Sequence, residues 1–118
     1  MATRLKNVDE IVSANNTKTT VLDYTPVTVT PDGSQKATVD LSAGNNFSVS
    51  ATGGITLEFS SMTGREGQSG NIWITNGADG VSLASGIKKS GEITADHWVS
   101  YYVINSSEVV ISVSGAVA

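Results

Sequence analysis

The sequence predicts an all-β protein, an antiparallel β-sandwich of jelly-roll type preceded by a short N-terminal arm. Three observations lead there. From Thr19 onward, apolar residues recur at every second position in short runs. The runs are rich in Val, Ile and Thr, whose branched side chains suit a pleated surface. Clusters of Gly, Asp, Asn and Ser interrupt them at the spacing of about 8–12 residues expected of sandwiches and barrels. No stretch alternates strand and helix patterns as βαβ units do, and no exact internal repeat is visible. A length of 118 residues fits a single domain. The division expected is residues 1–17 as the arm and residues 18–118 as the sandwich.

The arm reads differently from the rest. In RLKNVDEIVSANN, Leu5, Val8, Ile11 and Val12 recur at three-to-four spacing, with Asn7 placed to cap and Glu10 three residues on as its box partner. So short a helix is marginal in water. The segment is therefore expected, helical or extended, to be held only where its apolar residues meet another surface.

The strands follow in order. TTVLDYTPVTVT alternates Val27 and Val29 with threonines, and Pro26, which cannot donate to a ladder, places an edge or a bend there. TPDGSQ is a turn in which Pro31 presets φ and Gly33 is expected to take positive φ. QKATVDLSA directs Ala37, Val39 and Leu41 to one face, and FSVSA does the same with Phe47 and Val49. ITLEFSS sends Ile55, Leu57 and Phe59 inward. NIWITN sends Ile72 and Ile74 to one face and Trp73 to the other. VSLAS is a short strand, GIKKSGEITAD a loop with little ladder of its own, and HWVSYYVIN and EVVISVSGAV a final pair joined by NSSE.

Composition excludes several classes of function. Charged residues are 15% of the chain, well below the usual quarter or so, and the net charge is −4. The seven Lys and Arg residues are scattered, so no basic stripe offers a footprint for nucleic acid. The Lys88-Lys89 pair reads as a solvated face. There is no cysteine, hence no disulfide, thiolate nucleophile or zinc-thiolate site. No apolar run approaches the ~18 residues of a membrane helix, and the charged start does not read as a signal peptide. Synthesis in the host cytoplasm is expected, with no nucleic-acid or membrane partner.

No catalytic constellation is legible. The single histidine, His97, has no carboxylates patterned around it for a metal site and reads as a partly exposed strand residue. No G-x-S-x-G elbow occurs. The glycine-rich run TGREGQSGNIWITN lacks the Lys-Ser/Thr pair and the following helix of a phosphate loop, because Asn71 and a β-branched strand come next. It reads as a hairpin whose glycines supply positive φ. Gln68 is placed to pin its own main chain, with Arg65 and Glu66 free at the tip. Neither enzymatic activity, a cofactor nor a metal is expected.

The aromatic residues leave three readings open. Phe47 and Phe59 are in phase with the core. Along HWVSYYVIN, Trp98, Ser100, Tyr102 and Ile104 share one face and Val99, Tyr101 and Val103 the other, so both faces are apolar. Trp73, Trp98 and Tyr101 therefore belong to a core, to a subunit contact, or to a platform on which sugars stack.

The run from Ile55 to Phe59, the knot Gly64–Gly70, the strand Ile72–Ile74 and the late SYYVI stretch at Ser100–Ile104 resemble a module of bacteriophage virion proteins, found in tail-fibre-like and other structural proteins. The resemblance covers about Thr19 to Val113. It implies a non-enzymatic β-sandwich unit, usually oligomeric. A small β-domain with an arm looks like a head decoration (cement) protein, which binds the major capsid protein on the capsid surface and stabilises the shell, with a homotrimer favoured. The alternative is a tail-fibre or tail-tip module that binds cell-surface glycans. The capsid or subunit contacts expected on this reading are Leu5, Val8, Ile11 and Val12 of the arm, Arg65 and Glu66 of the turn, and Trp73, Trp98 and Tyr101.

Overall fold

The computed structural model describes residues 25–117 and, ahead of them, two short strands, β1 (Val12–Ala14) and β2 (Asn16–Lys18), paired antiparallel with each other. The expected arm contacts Leu5, Val8 and Ile11, and the side chain of Val12, lie outside the described residues.

The rest is all β apart from one 3-10 turn at Gly77–Asp79. The strands are β3 (Val27–Val29), β4 (Lys36–Asp40), β5 (Asn46–Ser50), β6 (Ile55–Ser60), β7 (Ser69–Thr75), β8 (Val81–Leu83), β9 (Ile87–Ser90), β10 (His97–Asn105) and β11 (Glu108–Val113). They form a six-stranded sheet in the order β3-β5-β7-β10-β11-β9 and a three-stranded sheet in the order β4-β6-β8. The two sheets share one core, as in a sandwich, but the strand directions depart from the antiparallel expectation. β3, β5 and β7 are mutually parallel, and so are β4, β6 and β8. Within these two sheets, among the described residues, antiparallel pairing is confined to β7 with β10 and β10 with β11.

The first six of these strands therefore wind as three solenoid-like coils, each giving one strand to each sheet. Val27 lies beside Phe47 and Lys36 beside Thr56, so the first step is 20 residues in both sheets. The next step is 25 residues in one sheet, where Phe47 lies beside Ile72, and 26 in the other, where Ile55 lies beside Val81. The glycine-rich turn before β7 takes up most of the difference. Period-two alternation states which face a residue occupies and is blind to strand direction. The glycine-rich turn, expected as a hairpin, instead joins strands of opposite sheets, as do the other links from β3 to β8, and the opposite strand serves as the crossover that a parallel pair requires.

Alternation did place the core. Val39, Leu41, Val49, Leu57, Ile72, Ile74, Val103 and Ile111 are buried, while Phe59 is only partly so. Pro26 stands at the start of β3, which is an edge strand. The segment expected to be a loop contains β9, which runs parallel to β11 and directs Ile87 against the core. Positive φ in the first turn falls on Gln35 (60°) rather than Gly33. That turn closes on Asp32, whose carboxylate accepts from the N–H groups of Ser34 and Lys36.

Side-chain amides stitch the coils together. Gln35 Nε2 donates to the carbonyls of Thr52 (3.0 Å) and Gly54 (2.7 Å) in the next coil. Asn76 Nδ2 reaches Ser50 Oγ and Thr52 Oγ1 of the same turn from the other side. At the opposite end, Gln68 Nε2 donates to the carbonyls of Leu41 (3.0 Å) and Gly44 (3.1 Å). Gln68 thus pins the turn of the preceding coil, not its own main chain as expected.

Candidate functional site

The outer face of the six-stranded sheet brings two of the predicted contact residues, Trp73 and Trp98, together. Strand register sets them in rows across the sheet. One row runs Thr28, Ser48, Trp73, Trp98. The next runs Asn46, Asn71, Ser100, Ser112, Ser90. A third runs Ser69, Tyr102, Val110, Lys88. Trp73 and Trp98 are cross-strand partners whose ring centroids lie 4.8 Å apart at an interplanar angle of 42°. Trp98 is nevertheless 53% exposed and Tyr102 51%. Ser100 Oγ donates to Asn71 Oδ1 at 3.2 Å. A shallow depression of about 140 Å³ lies beside Tyr102, lined by Ser100, Val110 and Ser112 among others.

The glycine-rich turn borders this face. Gly67 N–H donates to the carbonyl of Val103, and Val103 N–H to that of Gln68, so the turn continues the ladder of β10. The Tyr102 hydroxyl accordingly lies beside Gly67. Glu66 is exposed, as expected. Arg65 is not free: it is half-buried, and Nη1 donates to Gln68 Oε1 at 3.4 Å.

Tyr101 lies elsewhere. It is 2% exposed and faces the core, with ring centroids 5.6 Å from Phe59 and 6.3 Å from Phe47. Its hydroxyl donates to the carbonyl of Asn45 at 2.9 Å. Burial pushes its phenol above the ordinary range, against the opposing effect of Gln68. Tyr101 presents no surface to a partner; the exposed aromatic of the pair is Tyr102. The alternation along β10 carried that signal, since it set Tyr102 on the Trp98 face.

His97 is likewise corrected from partly exposed to 2% exposed, because it shares the inward phase of Val99 and Tyr101. Its Nε2 accepts from the N–H groups of Thr94 and Ala95, and Nδ1 lies 2.8 Å from the carbonyl of Ser114. The Nδ1–H tautomer satisfies all three contacts, which makes this a structural histidine tying the 91–96 loop to the chain after β11.

A second concavity lies between the sheets. β8 ends at Leu83 while β6 continues to Ser60. A cavity of about 250 Å³ opens there, lined by Phe59, Met62, Ala84, Ile87 and Val109, with Glu58 at its margin. Glu58 accepts from Thr38 Oγ1 at 2.7 Å. Among the described residues, no group of three or more His, Cys, Asp or Glu side chains is placed to hold a metal ion. Among them also, no helix is long and apolar enough to cross a membrane.

Comparison with protein-family models, with curated proteins and with solved structures finds no match to this chain.

Proposed function

We propose that the chain is a non-enzymatic structural protein of a bacteriophage virion, a decoration protein that binds and stabilises the head shell as an oligomer. The observation that carries this reading is a pair of open strand edges. Among the described residues, β3 pairs only with β5 and β4 only with β6, so the first coil ends in two unpaired edges. Open edges are templates for pairing with another chain, and the terminal coil of a solenoid needs a cap. The N-terminal stretch directly precedes β3 in the sequence. Its apolar residues Leu5, Val8, Ile11 and Val12 would anchor it on a neighbouring subunit or on the major capsid protein, with Glu66 and the turn as a further contact. The resemblance of the Gly64–Gly70 knot to virion modules supports the same reading.

The test is co-sedimentation with head shells. The chain is expected to bind shells at fixed stoichiometry and to run as an oligomer, with a trimer expected. Deleting residues 1–14 should leave melting nearly unchanged and weaken shell binding or oligomerisation. A monomer that ignores shells and binds bacterial envelopes would favour the tail-fibre alternative, for which the exposed Trp98 speaks.

A further inference from the structure

The outer face of the six-stranded sheet is uncharged over most of its width. The three rows hold three aromatic rings, one valine, a series of Ser, Thr and Asn side chains, and a single charge, Lys88, at the β9 edge. Of the charges at the margins, Lys88 and Asp96 are already engaged, while Glu66 of the bordering turn is exposed. Lys88 Nζ pairs with Glu108 at 3.3 Å. Asp96, beyond the Trp row, accepts from the N–H of Asn76 at 3.0 Å. Such a face selects against an ionic ligand. It also differs from the core of a protein contact, because the Trp pair and Tyr102 are separated by a row of hydroxyl and amide groups instead of forming one apolar patch.

Apart from the exposed Ile104 near the end of β10, the groups that remain available are those a sugar uses. Trp98 and Tyr102 each present about half of their surface to solvent. Neither indole N–H meets an acceptor among the described residues. The contact from Ser100 occupies Asn71 Oδ1 and leaves the Asn71 NH₂ as a donor. Rings offer a flat surface to the C–H faces of a pyranose, and hydroxyls and amides between them match its hydroxyl groups.

We propose that this face is a binding site for a neutral glycan that lies along β10, with Trp98 and Tyr102 as stacking platforms and Asn71 and Ser100 as the hydrogen-bonding groups between them. The two platforms stand four residues apart on one strand, about 13 Å at the usual rise per residue. That spacing makes the ligand an extended oligosaccharide and not a single sugar. The depression beside Tyr102 receives one end of it. The inference goes beyond the virion reading and holds for a head or a tail protein alike.

The test uses the isolated full chain, so its outcome is separate from shell binding. Neutral hexasaccharides of glucose, mannose and N-acetylglucosamine in several linkages, with the matching monosaccharides, are titrated by tryptophan fluorescence and saturation-transfer NMR. Hyaluronan and sialylated oligosaccharides serve as acidic comparisons. At least one neutral hexasaccharide should saturate a site that its monosaccharide does not. Trp98→Ala should abolish binding, and Tyr102→Ala should weaken it about tenfold, the scale of one lost stacking contact. Ser100→Glu, which places a charge in the central row without removing a ring, should also abolish it, and Lys36→Gln, exposed on the other sheet, should leave it unchanged. Absence of saturation by every neutral hexasaccharide at millimolar concentration overturns the proposal. So does binding that survives both Trp98→Ala and Ser100→Glu, preference for the acidic ligands, or burial of Trp98 in an oligomer of the free chain.

Discussion

The carbonyl of Asn45 lies against Gly70 so closely that no side chain fits there: a Cβ at Gly70 would overlap the Asn45 carbonyl oxygen. The same oxygen accepts from the Tyr101 hydroxyl (2.9 Å) and from Asn71 N–H (3.3 Å), while Asn45 Nδ2 donates to the carbonyl of Ser69 (3.0 Å). The last glycine of the Gly64–Gly70 knot is therefore a point of contact between coils. It follows that Gly70→Ala forces backbone movement where three hydrogen bonds meet. The variant is expected to be insoluble or to melt far below the parent, whereas Gly33→Ala, whose site is open, should melt within a few degrees of it. Equal melting of the two in a thermal scan would contradict this account.

Gln68 is expected to matter for stability through its two bonds to the preceding coil. Gln68→Ala leaves the carbonyls of Leu41 and Gly44 without their side-chain donor and removes the acceptor of Arg65. A loss of about 1–3 kcal/mol in urea unfolding is the expected size for such half-buried groups. Gln68→Glu, nearly isosteric but with no donor, should lose at least as much. A Glu variant as stable as the parent would show that the amide does not hold the coils.

Leu57 occupies the centre of the three-stranded sheet and is fully buried. Leu57→Ala should cost about 2–5 kcal/mol, measured by equilibrium unfolding. A change below about 0.5 kcal/mol is the size of a surface substitution and would contradict its place in the core.

Stability is expected to fall in acid. The main-chain N–H of Lys36, then that of Ser34, holds Asp32 below its ordinary value of 3.8. The hydroxyl of Ser42 does the same for Asp40, and the side chain of Asn105, then Lys88, lowers Glu108 from 4.5. Carboxylates lowered in the folded state bind more protons when unfolded. Their contribution is present above the ordinary carboxylate values and is lost as pH drops through the folded ones. Melting temperature should be flat from pH 7 to about pH 5 and decline below about pH 4. Asp32→Asn keeps an acceptor oxygen and removes the titration, so its acid decline should be shallower than that of the parent.

What the sequence determined by itself is which side chains face inward. Ile55, Leu57, Ile72, Ile74, Val99 and Val103 could be read from alternation, because each strand must turn its apolar face from water whatever it pairs with. The same alternation contained His97 and Tyr101 on the inward face of β10, although a polar identity drew each of them toward a surface role. Tertiary structure decided the rest. The 20-residue step between coils was hidden because inward positions accept Val, Phe or Ile alike, so Val27-Thr28-Val29 and Phe47-Ser48-Val49 share a pattern and few letters. Strand direction was hidden because a link of a few residues joins neighbours in one sheet or strands of two sheets equally well. The meeting of Trp73 with Trp98, and the partners of Gln35, Gln68 and Asn76, depend on register between distant strands, which only the packed coils supply.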